Sequence, residues 1–382
     1  MRRSWEEIDS KIRSGSVTVI TAEEMTSLVS EIGSEAAFRR VDVVTTGTFS
    51  PMCSSGVLLN TGHRTPRTNY SRASLNGVPA YSGLAAVDLY LGATSRSEDE
   101  GSPLYGGGHV IEELVSGESV RFEATGHGTD CYPGRGVDSV IAMDDLGDAL
   151  LLNPRNCYQN YNVAVNASSD GILHTYMGPL LPGMRNAAYS SAGQLSPLLN
   201  DPHYRTVGIG TRVFLGGGIG YVTYRGTQHQ PLVSRTSRGI PREGAGTLTL
   251  MGDLKAMSPR YLRGVAIKGY GVSLAVGVGM AIPVLDPDLA ASTGISDADI
   301  PAPVVDYSRD YPNRTGRILG TTDYARLRSG RITVGGREVR TMPLSSYAMA
   351  REIAVNLRDM VRSGSFTLTR PSAPISPPAS AE

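Results

Sequence analysis

Forty-five glycines stand in clusters between short apolar runs of this 382-residue chain, without a fixed period and without serine-linker composition. Disorder is a poor explanation of that pattern; it calls instead for many tight turns and close backbone approaches. Residues 41–182 alternate strand-like runs, such as 85–91, 119–123 and 172–176, with Gly/Pro/Asn/Ser turns. Further strand candidates lie at 41–44, 149–152, 163–165, 206–210, 221–224 and 246–251. Helices are expected at 4–14, at 22–39, from about 110 to 115, and over 345–361. The second has Thr21 as N-cap with Glu24 three residues on. The last is apolar at Ala350, Ile353, Leu357 and Val361. Residues 331–339 read as a hairpin turning on Gly335-Gly336. The expected fold class is α/β or α+β. One large glycine-rich mixed-sheet domain covers 1–370, with its core to about residue 300 and a small C-terminal lobe over 301–370. A Pro/Ser/Ala-rich tail at 371–382 is expected to be disordered.

Lys+Arg and Asp+Glu both total 36. Zero net charge argues against bulk attraction to nucleic acid or to an anionic membrane. The longest apolar run, around 272–285, is too short and too glycine-rich to span a bilayer, and the first residues show no secretory signal. Three widely spaced cysteines make no disulfide framework, which fits a reducing cytoplasm. The six histidines form no H-x-x-x-H or H-E-x-x-H pair, so zinc is unsupported. The glycine-rich stretch at 208–220 fails the dinucleotide spacing because Val213 takes the third glycine position. It reads instead as a packed glycine turn or an anion-binding loop, with Arg205 and Arg212 as carboxylate forks. No tightly bound cofactor is expected.

The chemistry then rests on thiols. Cys131 sits at a sharp turn in Gly128-Thr129-Asp130-Cys131-Tyr132-Pro133-Gly134-Arg135-Gly136. Thr129 and Arg135 offer donors to a thiolate there, and Asp130 opposes them; the plain alternative is a small buried hydrophobe. Cys53 follows the strand candidate at 41–44 in Thr45-Thr46-Gly47-Thr48-Phe49-Ser50-Pro51-Met52-Cys53-Ser54-Ser55-Gly56, where successive amides suit an anion. Cys157 lies between two strand candidates and reads at least as well as core.

These motifs, taken together, resemble the homocysteine biosynthesis family, the L-aspartate semialdehyde sulfurtransferases, from about residue 5 to 370. The likeness is carried by the run ending at Gly56, by Tyr105-Gly106-Gly107-Gly108-His109-Val110-Ile111-Glu112, by the Cys131 turn, and by Asn153-Pro154-Arg155-Asn156. Tyr158-Gln159-Asn160-Tyr161-Asn162, the run 194–202, Gly226-Thr227-Gln228-His229 and the run 302–308 complete it. The resemblance implies conversion of aspartate semialdehyde to homocysteine in the cytoplasm, with Cys131 bearing a persulfide and Cys53 assisting. It implies electrons from a ferredoxin-like iron–sulfur partner. Some members carry a C-terminal pair of CBS domains; this sequence ends before one, so no nucleotide sensing by such a pair is expected.

A small amino-acid aldehyde needs a carboxylate clamp, for which Arg155, Arg205 and Arg212 are candidates, and an amine acceptor in Asn160 or Asp201. Lys255 is a candidate for an imine, and His109 and His127 for proton donation. Two other readings stand beside this one. The first is an enzyme with an iron–sulfur cluster on Cys53, Cys131 and Cys157. The second is a sulfur-carrier subunit without chemistry of its own, and a homo-oligomer is compatible with any of them.

Overall fold

The computed structural model describes residues 2–98, 104–310 and 316–375. Its largest sheet has nine strands. In spatial order they run Leu262–Ile267, Gly271–Gly279, Arg212–Leu215, Gly218–Arg225, Leu248–Asp253, Ala149–Asn156, Gly56–Asn60 and Asp88–Gly92, with Thr48–Pro51 pairing onto Gly271–Gly279. Every pairing in it is antiparallel. Gly271–Gly279 is buried along its whole length, which is why it reads as an unbroken apolar run instead of an alternating one.

A four-stranded antiparallel sheet, Val78–Ala80, Tyr70–Leu75, Val120–Gly126 and Gly136–Ile141, packs with the helix Gly107–Val115 over the core beneath the large sheet. A six-stranded mixed sheet forms a second core. Its order is Ile318–Asp323, Pro301–Asp306, Val163–Val165, Asn186–Tyr189, Arg337–Pro343 and Arg331–Val334. The architecture is α+β, with several sheets and helices packed at their margins. Residues after 300 share this sheet with the middle of the chain: Pro301–Asp306 runs parallel to Val163–Val165, and Arg337–Pro343 parallel to Asn186–Tyr189.

Local signals acted as the sequence suggests at most ends. Thr21 and Glu24 form the reciprocal capping box. Residues 331–339 form the expected hairpin, with φ of 55° and 79° at Gly335 and Gly336. The 22–39 helix is corrected to two, Ala22–Ile32 and Ser34–Arg40, because Gly33 turns the chain at φ 78°. The tail also needs correction. Ala373–Pro374 pairs with Gly208–Ile209, and Ile375 is buried; residues 376–382 of the expected disordered tail lie outside the described residues.

The helix Tyr347–Arg362 matters most for the site. It buries Ala350, Ile353, Ala354, Leu357 and Val361 against the strands Thr48–Pro51 and Gly271–Gly279. The approach is so close that a Cβ on Gly47 would lie 2.1 Å from the Ala350 carbonyl oxygen. Only glycine fits there. Truncating Leu357 to Ala would cost about 2–5 kcal/mol by the usual cavity penalty. Among the described residues, no helix is long and apolar enough to cross a membrane.

Candidate active site

The strand Thr48–Pro51, held between that helix and Gly271–Gly279, delivers the chain into a tight turn at Met52–Ser55. Met52 N donates to Leu274 O at 2.7 Å, Ser55 N closes the turn on Met52 O at 3.0 Å, and Ser55 Oγ adds a bond to the same oxygen at 2.7 Å. Cys53 and Ser54 are the two residues at the tip. Cys53 is half-buried, and its Sγ accepts a hydrogen bond from Ser273 Oγ at 3.4 Å. The thiol is thus fixed by two neighbouring strands.

It lies at the junction of two spaces. On one side is a cavity of about 130 Å³ whose wall includes Cys53, Arg155, Cys157, Tyr161, Tyr176 and Gln228. That volume is below the usual range for drug-sized ligands and suits a small metabolite. On the other side is a shallower cleft of about 380 Å³, shared by Cys53, Ser54, Arg155 and Tyr270 and flanked by Arg96. Arg96 donates to the Tyr270 carbonyl. It lies there only because residue 271 is glycine: Gly271 has φ 148°, and a Cβ would come within 2.5 Å of the guanidinium.

Among the described residues, Arg155 is the one charged residue in the wall of the inner cavity. Among the described residues it has no ion pair, and its Nε is buried without a hydrogen-bond partner. Asn153 Nδ2 and Asn156 Nδ2, in the same strand end, are also buried and unpartnered. A wall with one guanidinium and no carboxylate favours an anionic ligand. Three residues beside this cavity hold the left-handed backbone that side chains rarely adopt: Cys157 (φ 51°), Asn160 (φ 75°) and Gln228 (φ 63°). Such conformations persist where the surrounding structure enforces them, and they concentrate at functional sites. Burial pushes the Cys157 thiol well above the ordinary range, so it stays protonated.

Cys131 is elsewhere. It is exposed on the loop between Val120–Gly126 and Gly136–Ile141, at a turn in which Thr129 N bonds Tyr132 O at 2.8 Å and Tyr132 N returns to Thr129 O at 3.1 Å. The loop is tied by Gly134 N to Arg67 O at 2.8 Å. Cys131 lines neither space next to Cys53. Among the described residues no three His, Cys, Asp or Glu side chains gather as a metal site. The three cysteines therefore do not fit the cluster reading, because one stands at a hairpin tip while the other two share a cavity.

Of the remaining candidates, Arg155 alone reaches the cavity. Arg205 makes a forked pair with Asp286, one arm at 3.0 Å, and holds that carboxyl below its usual range. Arg212 bonds Thr367 and lies over the Tyr221 ring, in a hairpin of the large sheet and not in an anion loop. Asn160 is fully buried and donates to Pro241 O and Pro301 O at 2.7 and 2.8 Å. Asp201 is spent on Arg205 N and Thr206. Lys255 Nζ donates to Leu146 O at 2.6 Å, far from any imine role in the cavity wall. His109 stacks on Tyr105, and exposed His127 borders a groove of the four-stranded sheet. Sequence reasoning missed Ser273, Arg96, Tyr161 and Tyr176 as site residues. Tyr161 stands in a quoted motif and Tyr176 ends a strand-like run, and only the fold shows that both share a cavity wall with Cys53.

With this geometry in hand, comparison with known proteins is informative. A family model described as homocysteine biosynthesis enzyme, sulfur-incorporation, matches residues 17–368. The chain belongs to the homocysteine biosynthesis family. It is 49% identical over 385 aligned positions to a protein of Methanosarcina acetivorans named L-aspartate semialdehyde sulfurtransferase, covering 100% of this chain and 74% of that one. A protein of the same name from Methanocaldococcus jannaschii is 47% identical, over 96% of this chain and 72% of the relative. An uncharacterized protein of Methanothermobacter thermautotrophicus is 30% identical over 80% of this chain and 68% of its own length. No solved structure matches. In this member of the family, the conspicuous thiol of the inner cavity is Cys53.

Proposed function

We propose that this chain converts L-aspartate semialdehyde to L-homocysteine, using sulfur that arrives at Cys131 and reacts in the cavity of Cys53. The observation that carries the reading is the unpaired, partly buried Arg155 guanidinium in the same small cavity as the Cys53 thiol. Arg155 would hold the substrate carboxylate in a fork, leaving the aldehyde carbon toward the thiol. The substrate amine would meet hydroxyls and the Gln228 amide, since no carboxylate stands in this wall.

The reaction fixes what else is required. From an aldehyde and hydrosulfide, formation of a thiol-bearing methylene and one water consumes two electrons and three protons. If the sulfur arrives as a persulfide on Cys131, attack by Cys53 after C–S bond formation leaves a Cys53–Cys131 disulfide. Reducing that disulfide takes two further electrons. A ferredoxin-class iron–sulfur protein is the reductant this reading names. The exposure of Cys131 supports this order, because a sulfur donor too large for a 130 Å³ cavity can reach it.

The test is product formation by the purified chain from aspartate semialdehyde, a persulfide donor and a low-potential reductant. Homocysteine at a rate that falls in Cys53→Ala and Cys131→Ala supports the reading. No homocysteine without a second protein, under any reductant, would assign the chain to sulfur carriage alone.

A further inference from the structure

We propose that Tyr161 is the acid that protonates the substrate's carbonyl oxygen, resupplied through Tyr176 and Tyr307; this rests on the function just given. The inner cavity has a proton problem. Among the described residues its wall holds no carboxylate and no histidine, and a guanidinium is not a proton donor in proteins. Yet the carbonyl oxygen must leave as water, which takes two protons. As sulfur adds, the C–S bond forms, the C=O π pair moves to oxygen, and that oxygen takes the first proton. Cys53 then attacks the Cys131 sulfur, which leaves the Cys53–Cys131 disulfide and frees the adduct's thiol. When the C–O bond breaks, the second proton completes the water while the S–H proton is lost and C=S forms. The addition and the loss of water are redox-neutral; the later reduction of C=S uses the external iron–sulfur reductant.

Hydroxyls are the donors available, and three of them form a line. Tyr161 and Tyr176 bond each other through their hydroxyls at 2.8 Å, and Tyr176 bonds Tyr307 at 2.8 Å. Asn162 Nδ2 donates to the Tyr307 hydroxyl at 2.9 Å and holds that end in place. Tyr161 and Tyr176 face both the inner cavity and a second one of about 610 Å³, whereas Tyr307 faces only the second. The walls of this outer cavity include the exposed Gln230, Glu243 and Ile318, so water reaches it. Among the described residues the Tyr161 hydroxyl bonds only Tyr176, which leaves its own proton free to face the substrate. A chain running Tyr307 to Tyr176 to Tyr161 presents that proton inward. After it is given up, each hydroxyl passes its proton one place and outer-cavity water recharges Tyr307. Burial and its two tyrosine neighbours push the Tyr176 hydroxyl far above its ordinary range, so the middle of the line stays protonated.

The experiment is single-turnover homocysteine formation by enzyme already loaded with sulfur. Tyr161→Phe should slow it by about 100-fold, the scale of general-acid catalysis, with aldehyde KM near that of the wild type. Tyr307→Phe, outside the inner cavity, should slow it less. It should also lessen the curvature in the dependence on solvent deuterium fraction, since two hydroxyl protons instead of three then move together. A purely structural role for these tyrosines would not alter that curvature. Wild-type turnover in Tyr161→Phe, or identical deuterium dependence in Tyr307→Phe and wild type, overturns the relay while leaving the function intact. Should Tyr161→Phe fail to fold, the Tyr307→Phe arm decides. A wild-type enzyme that forms no homocysteine overturns the function itself, and the relay with it.

Discussion

Cys53 and Cys131 both follow stretches rich in hydroxyls and glycine, yet the fold places them in contrasting surroundings. Cys53 is wedged into a turn whose flanks are a fully buried strand and a five-residue apolar helix face, and Ser273 and Arg155 stand next to it. Cys131 ends an exposed hairpin with local backbone bonds and open solvent around it. The same element, sulfur, is thus offered at one place where a small molecule can be held and at another where a macromolecule or a sulfur donor can reach. In the proposed reaction a transfer between them would divide the work: uptake at the tip, carbon chemistry in the cavity.

The strongest way to break this division is to separate the two thiols onto different molecules. Cys53→Ala and Cys131→Ala should each lose nearly all activity. The Cys131 loop is pinned by Thr129, Tyr132 and the Arg67 carbonyl and lines neither space beside Cys53. Handover from a second copy is therefore expected, so mixing the two inactive variants should restore turnover. No recovery would confine the transfer to a moving loop within one chain.

Next in size is the clamp. Arg155→Lys keeps the charge but loses the planar fork, and should raise the KM for the aldehyde by about 10- to 100-fold, on the order of 1.4–3 kcal/mol. Arg205→Lys and Arg212→Lys should leave KM unchanged, because their guanidinium groups are engaged with Asp286 and Thr367. Steady-state kinetics on the three variants distinguishes one clamp from a diffuse one.

Cys157→Ala sharpens the contrast from the other side. The residue shares the cavity wall but is buried and protonated, so its loss should cost about 1–2 kcal/mol of stability, read from a denaturant midpoint, with kcat little changed. A fall in kcat matching that of Cys53→Ala would make it a third working thiol. The smallest effect concerns Asp286. Arg205 lowers its folded-state pKa, so the stability it contributes is present above the unfolded value and is lost as pH falls through the folded one. Asp286→Asn should lower the melting temperature at neutral pH by the equivalent of about 1–2 kcal/mol. The deficit should shrink as the wild type is brought well below pH 4. A deficit independent of pH would place the effect in the helix cap that Asp286 gives to Leu289 instead.

The sequence carried the local signals well: the Thr21–Glu24 capping box, the Gly335-Gly336 hairpin and the apolar face of the last helix depend on neighbours a few residues apart. Cys53 and Arg155 were legible for the same reason, each sitting in a distinctive short run. What was not legible depends on distant partners. Nothing near Arg205 announces Asp286, 81 residues on, and nothing in the tail announces its pairing with Gly208–Ile209. The tyrosine line joins a loop, a turn and the start of a short helix at residues 161, 176 and 307, and the cavity turns on left-handed backbone at Cys157 and Gln228, for which glycine or asparagine would have been the usual sign.

The division between the two thiols is tested most directly by following labelled sulfur. Enzyme loaded from an isotopically labelled persulfide donor, alkylated and digested, should carry one extra sulfur on the Cys131 peptide. Adding aspartate semialdehyde and reductant should then move that label into homocysteine in the wild type. In Cys53→Ala the label should remain on Cys131. Label that never appears on Cys131, or that reaches homocysteine at the wild-type rate without Cys53, would contradict the account.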